Sequence, residues 1–380
     1  MALDFTPDDI PQGAGAAPSR IAVLGAGAWG TALASVARQA GREVSLWGRD
    51  AEVTREIRED SRASRYLPDV PLPEGIAATT DMGRALDGAE AALIVTPSAT
   101  LHEVCDLIRP HLPRGIPLAL CCKGIERGSG LPLSQVAEDA LPGHPIGALS
   151  GPTFAREAAL GHPTAATIAF PFNFRDRLHP GQSPAARLAL ALSAPSFRPY
   201  ISDDVIGVEV GGAVKNVIAI ACGMLTGAGF AENTRALLIT RGMAEMTRLA
   251  LSLGGRAETI SGLSGAGDLM LTCSSTTSRN MSLGTQLGQG LARPACFEGR
   301  PVVVEGEVNA PSVMDLATRV GVEMPICAAV NAVLHQGAPM EETFARLWSR
   351  PLQGESGALG VSLSNPVSQS ARRPQAKPAP

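Results

Sequence analysis

Aromatic residues make up only 4% of this 380-residue chain, and histidine occurs just 6 times. No His/Cys cluster has metal-ligand spacing, so a structural or catalytic metal centre is not expected. The 7 cysteines are odd in number and irregularly spaced, and no C-x-x-C is present. In a chain of this length that excludes a disulfide framework and suits reduced core thiols. A basic excess is missing too: 32 basic against 36 acidic residues leave a net charge of −4. Dedicated nucleic-acid binders are usually basic, so no nucleic-acid partner is expected. The first residues carry Asp4, Asp8 and Asp9. They lack the basic start and apolar run of a signal peptide. The nearest uncharged apolar run, residues 216–230, is about 15 long and interrupted by glycines, where a membrane span needs ~20. The cytosol is therefore the expected compartment.

What the chain does have is apolar content, at 45%, with 41 Gly and 30 Pro. That is enough for a large core and rules out wholesale disorder. Residues 1–19 are rich in Pro, Gly and Ala without periodicity and read as a flexible leader. From Arg20 onward, short apolar runs alternate with helical patterns. Strands are expected over 21–24, 43–47, 91–95, 117–121 and 146–149, and helices over 31–39, 51–59 and 101–108. Such alternation implies an α/β, Rossmann-like domain with a parallel sheet covered on both faces. We place it at 20–201, with an inserted loop at about 172–183. From residue 202 to 352 little reads as strand, so an all-helical C-terminal domain is expected. Residues 353–380 are Ser-, Pro- and Gln-rich and read as a disordered tail.

The strongest local signal is Gly25-Ala-Gly27-Ala-Trp-Gly30, a G-x-G-x-x-G between a strand and a helix. Its first glycine suits a tight turn, its second close approach of a pyrophosphate, and its third helix–strand packing. The plainer reading is a tight turn alone. After the second strand comes Arg49, whose forked donors suit a 2′-phosphate. The alternative is a solvated pair with Asp50. On balance NADP is expected, with NAD also plausible.

Lys215 sits in an apolar helical stretch, between Gly211 and Gly212 on one side and Ile218 and Ala219 on the other. A buried ammonium there must reach solvent, pair with an acid, or lose proton affinity. The last makes it a candidate general acid/base. Gly211 and Gly212 suit either close helix packing or approach by a ligand. Asp268 follows a glycine-rich stretch and is a candidate to orient a buried lysine, to bind a substrate hydroxyl, or simply to cap a helix. Ser278, Arg279 and Asn280 suit phosphate or carboxylate oxygens, or form an ordinary solvated helix start. Lys123 and the run Ser150–Thr153 follow strands, where open α/β sheets bind ligands.

The ensemble resembles the bacterial NAD(P)-dependent glycerol-3-phosphate dehydrogenases. The similar segments are residues 25–34, 66–68, 123–126, 150–155, 207–220, 240–245, 262–273, 278–280, 304–306 and 323–326, in family order. The resemblance implies interconversion of sn-glycerol 3-phosphate and dihydroxyacetone phosphate, supplying glycerol 3-phosphate for phospholipid synthesis. It also implies a cytoplasmic homodimer. Lys215 then matches the catalytic general acid/base, with Lys123 and Asp268 beside it. Lys123, Gly151, Thr153, Lys215, Asp268, Ser278, Arg279 and Asn280 match substrate positions. Ala28, Trp29, Arg49, Lys123, Ala155, Arg279, Val303 and Glu305 match cofactor contacts, alongside Gly25, Gly27 and Gly30. Thr153 departs from the more common Ser but keeps the hydroxyl. The leader, the inserted loop and the tail look additional to the family. A rival reading is a two-domain dehydrogenase with a similar lysine that acts on a hydroxy acid.

Overall fold

A computed structural model describes residues 15–354 and 360–366. Its first half is built on an eight-stranded sheet with spatial order β3-β2-β1-β4-β5-β6-β7-β8. The strands are β1 Arg20–Leu24, β2 Glu43–Trp47, β3 Ile76–Thr79, β4 Ala91–Ile94, β5 Leu118–Leu120, β6 Ile146–Ser150, β7 Thr164–Ala169 and β8 Phe197–Ser202. Neighbouring strands are parallel except β6 and β7. Chain order reverses between β1 and β4, which opens a crevice at their carboxyl ends. The central strands β1, β4, β5 and β6 are buried almost throughout because both sheet faces are covered.

Sequence patterning anticipates the strands with continuous apolar runs and misses the others. Strand β3 reads Ile-Ala-Ala-Thr, and β7 is similarly rich in Ala and Thr. β8 contains Arg198, Pro199 and an exposed Tyr200. As the last strand of the sheet it tolerates a proline that a central strand would exclude. The inserted loop is partly helical. Asn173 and Asp176 form a reciprocal cap on the helix Phe174–Leu178.

Both chain ends depart from expectation where they are described. Residues 15–19 pack down: Gly15 N–H donates to Gly181 O (2.8 Å), and Arg187 Nε donates to Ala16 O (3.0 Å). Ser19 bonds Glu90 through its N–H (2.9 Å) and hydroxyl (2.8 Å). The flexible leader is corrected over this stretch, and residues 1–14 lie outside the described residues. In the tail, Leu352–Gln353 pairs antiparallel with Ser362–Leu363. The Asn365 amide donates to Trp348 O (3.1 Å) and Arg350 O (3.0 Å). That corrects the disordered tail for 353–354 and 360–366, since backbone pairing and a buried amide replace missing apolar surface. Residues 355–359 and 367–380 lie outside the described residues.

From Val205 to Trp348 the chain is helical, around the long helix Val205–Gly227. This helix is apolar and long enough to cross a membrane by length and composition, but 94% of its most apolar window is buried inside the protein. It is the core helix of this half. Its neighbour Arg279–Gly288 approaches through paired glycines. A Cβ at Gly284 would lie 2.2 Å from Ile220 O, and one at Gly223 would lie 2.3 Å from Met281 O. Gly284→Ala is therefore expected to destabilise the protein by about 1–3 kcal/mol, because backbone cannot yield as a side chain can. Denaturant midpoints of the two proteins check this, and an unchanged midpoint would contradict the close approach.

Candidate active site

The glycine-rich turn lies at the carboxyl end of β1. Gly25 has φ +129°, a conformation L side chains rarely adopt, and its Cβ would lie 2.8 Å from Val95 O. A Cβ at Gly30 would lie 1.7 Å from Gly25 O, so helix and turn touch there. Gly27 is different, since nothing lies within 4 Å of where its Cβ would be. The space in front of Gly27 is thus open, at the start of the helix Ala28–Gln39. That helix begins earlier than expected, immediately after Gly27, and no side chain caps it. Uncapped N–H groups and the positive end of the helix dipole suit an anion here. The cradle fits a pyrophosphate. Ala28 and Trp29 form the first helical turn, and the Trp29 Nε1 is buried without a hydrogen-bond partner.

After β2, a Cβ at Gly48 would lie 2.6 Å from Ala26 Cβ, which brings this loop against the glycine turn. Asp50 is occupied: it accepts from Glu52 N (3.0 Å) and Val53 N (3.2 Å), and pairs with Arg65 (2.8 Å). The solvated Arg49–Asp50 pair considered from sequence does not form, because Asp50 caps a helix instead. Arg49 is exposed.

The chemical centre is a buried Lys–Asp–Lys arrangement. Lys215 Nζ donates to Asp268 Oδ1 at 2.5 Å and to Thr272 Oγ1 at 2.8 Å. Lys123 Nζ donates to the other carboxylate oxygen, Asp268 Oδ2, at 2.7 Å, and lies 3.5 Å from Gly151 O. Lys215 comes from the core helix, Asp268 opens the helix Asp268–Ser274, and Lys123 follows β5. Asp268 is 1% exposed and does not act as a helix cap. Burial pushes the Lys215 ammonium down to about 8; Asp268 opposes the shift and the Lys123 charge reinforces it. For Lys123, burial also works against the charge, but the Asp268 carboxylate outweighs it and holds the group above its usual value. Similar lysines on one carboxylate are thereby driven apart in proton affinity, the pattern of an acid/base beside a fixed cation.

Glycines make this packing possible. A Cβ at Gly211 would lie 2.5 Å from Ser264 O, so this glycine serves helix packing. One at Gly212 would lie 3.3 Å from Lys123 Cγ, so that glycine leaves room for the lysine stem. Gly151 is also tight, with its Cβ position 2.9 Å from Ala166 Cα. Thr153 is half-buried, and its hydroxyl lies 3.3 Å from Gly151 O.

A second network borders the lysines. Asn280 Nδ2 donates to Asn216 Oδ1 (2.9 Å), and Asn216 Nδ2 donates to Glu305 Oε2 (3.1 Å). Gly306 N–H donates to Asn280 Oδ1 (2.8 Å). Ser278 caps the helix Arg279–Gly288 by accepting from Met281 N (3.2 Å) and is buried, not a solvated start. Arg279 beside it is exposed. Val303 is also exposed, and Ala155 is half-buried at the start of the helix Ala155–Ala159. Structure does not join Arg49, Ala155, Arg279 or Val303 to the lysines by hydrogen bonds. Asn216 and Thr272 were missed from sequence. Their signals are present: Asn216 adjoins Lys215, and Thr272 lies one helical turn past Asp268.

Comparison with known proteins decides the family. Residues 20–173 match the NAD-dependent glycerol-3-phosphate dehydrogenase N-terminus, and residues 204–345 match the C-terminus of the same family. A glycerol-3-phosphate dehydrogenase (NAD(P)+) of Rhodospirillum rubrum is 49% identical over 338 residues, spanning 89% of this chain and 94% of that protein. The chain belongs to the NAD-dependent glycerol-3-phosphate dehydrogenase family. Another member, from Novosphingobium aromaticivorans, is 49% identical over 88% of this chain and 98% of its own length. The crystal structure of a Coxiella burnetii glycerol-3-phosphate dehydrogenase superposes with a TM-score of 0.79 at 37% identity, covering 87% of this chain and 99% of that one. A D-mandelate dehydrogenase shares the fold at a TM-score of 0.57, but only 16% of its residues are identical. The hydroxy-acid rival is thus a relative in architecture alone.

Proposed function

We propose that this glycerol-3-phosphate dehydrogenase family member interconverts sn-glycerol 3-phosphate and dihydroxyacetone phosphate with NAD(P)+ or NAD(P)H. The observation that carries the reading is one carboxylate shared by Lys215 and Lys123 at the carboxyl end of the sheet. When bound, the nicotinamide cofactor supplies or accepts the hydride. The residues of the chain handle the proton and the charge. Lys215 Nζ gives its proton to the carbonyl oxygen as the ketone carbon is reduced, and takes it back in the reverse direction. One hydride and one proton convert the ketone to the secondary alcohol, and the neutral Lys215 is recharged from solvent. Asp268 keeps Nζ aimed, and the Lys123 cation favours the developing alkoxide. Arg279, with Ser278 and Asn280 at the start of its helix, answers the substrate phosphate. Gly151 and Thr153 complete the substrate side.

On the cofactor side, Gly25, Gly27, Ala28, Trp29 and Gly30 seat the pyrophosphate, with Ala155, Val303 and Glu305 nearer the reacting end. A steady-state assay of dihydroxyacetone phosphate reduction, run in parallel with NADH and NADPH, tests the reading. Turnover is expected with both, and no turnover with either would refute it. Arg49 is exposed, with its neighbour Asp50 already committed to a cap and to Arg65. Arg49→Ala is therefore expected to raise the KM for NADPH about tenfold, the loss of one charged hydrogen bond, and to leave that for NADH almost unchanged. Equal effects on both cofactors would remove the 2′-phosphate role. Family resemblance further supports a cytoplasmic homodimer whose product feeds phospholipid synthesis.

A further inference from the structure

We propose that Asn309 is a positioning residue that holds the Lys123 segment in register with Lys215 from across the two halves of the chain. The inference rests on the dehydrogenase reading of the lysine centre. Asn309 is 2% exposed and lies on the helix Glu305–Arg319. Its Nδ2 donates to the main-chain oxygen of Lys123 at 3.0 Å. Lys123 stands beyond the end of β5 at Leu120, so the sheet ladder does not hold that carbonyl. The next residue, Gly124, brings the backbone unusually close. A Cβ there would lie 2.8 Å from Asn309 Oδ1 and 2.8 Å from Ser98 Oγ.

The same helical turn reaches the other lysine. Residues four apart on a helix share a face, which places Glu305 beside Asn309. Glu305 accepts from Asn216, the residue after Lys215, at 3.1 Å. One rigid turn is thus bonded to the segment carrying each lysine. A catalytic constellation tolerates only small displacements of its groups, and supporting hydrogen bonds set that tolerance. Loss of the Asn309 amide frees the Lys123 main chain, and the Nζ drifts from Asp268.

The test is the pH profile of kcat for dihydroxyacetone phosphate reduction in Asn309→Ala. We expect kcat to fall about 10–100-fold, as for other supporting-shell losses. We also expect the pH at which reduction declines to move upward. The groups around Lys215 are Asp268, Lys123, Glu305 and the Cys273 thiol. Of these, Lys123 lowers the proton affinity of Lys215, so its withdrawal leaves Asp268 to raise it. A merely structural role lowers the folded fraction and leaves the profile in place. A reduced kcat with an unshifted profile would overturn the proposal. Gly124→Ala presses on the same amide from the other side and is expected to reproduce the shift; it serves if Asn309→Ala does not fold. In a Lys123→Ala background, Asn309→Ala is expected to cost nothing further, and an equal loss in both backgrounds counts against the proposal. A wild-type enzyme inactive with both cofactors would instead refute the dehydrogenase reading.

Discussion

Lys215→Ala is expected to lower kcat for dihydroxyacetone phosphate reduction by about 10²–10⁴-fold while cofactor binding survives. The side chain is buried, with Nζ against Asp268 and Thr272. Its removal leaves Asp268 still paired with Lys123 at 2.7 Å, so no buried charge is stranded and the fold persists. The glycine turn follows β1 and shares no hydrogen bond with Lys215, whose partners are Asp268 and Thr272, which is why cofactor affinity is expected to be spared. The wild-type pH profile carries a matching signature. Burial lowers the Lys215 ammonium from 10.5 to about 8. Ketone reduction needs the protonated form, so its rate falls as pH rises through about 8. Alcohol oxidation needs the neutral form, and its rate rises over the same range. Cofactor titration and pH-dependent steady-state kinetics on both proteins check these outcomes. Near-normal turnover in the variant would remove Lys215 from the proton-transfer role.

Asp268→Ala is expected to be more damaging still, because it removes the anion that both lysines share. Lys215 and Lys123 would then face each other in a nearly dry site with no carboxylate between them. Breaking a buried ion pair from one side costs about 3–5 kcal/mol, since the remaining charge is left uncompensated. Activity should vanish as well. Without Asp268 the Lys215 ammonium loses the carboxylate that supports its charge and aims its Nζ, so proton donation fails. Thermal unfolding combined with kcat measures both effects. The double variant Asp268→Ala with Lys123→Met should recover part of the lost stability, because one of the stranded cations is gone. A double variant no more stable than the single one would show that charge repulsion is not the cause.

The site was legible in uneven degrees. The glycine turn could be read because its glycines do local work: a positive φ at Gly25, a helix contact at Gly30 and open space at Gly27 all follow from residues a few positions apart. Lys215 stood out because an ammonium in an apolar helical run must be compensated somewhere. Asp268 is a candidate from sequence, but nothing local chooses between a lysine partner and a helix cap, since the two residues lie 53 positions apart. Asn216 and Asn309 escaped for a related reason. An amide on a helix carries no pattern of its own, and its worth depends on the partner that packing delivers.

The same division runs through the fold. Periodicity and glycine placement determined that a parallel-sheet domain precedes a helical one, and that the first carries a glycine-rich turn between a strand and a helix. Those are local consequences of side-chain alternation and backbone freedom. Strand order, the antiparallel entry of β7, the edge position of β8 and the pairing of the chain's last described residues came only with tertiary structure. So did the division of labour between the lysines. Proton affinity in a buried cluster depends on burial and on every charge within a few ångströms. Only the folded chain sets those distances.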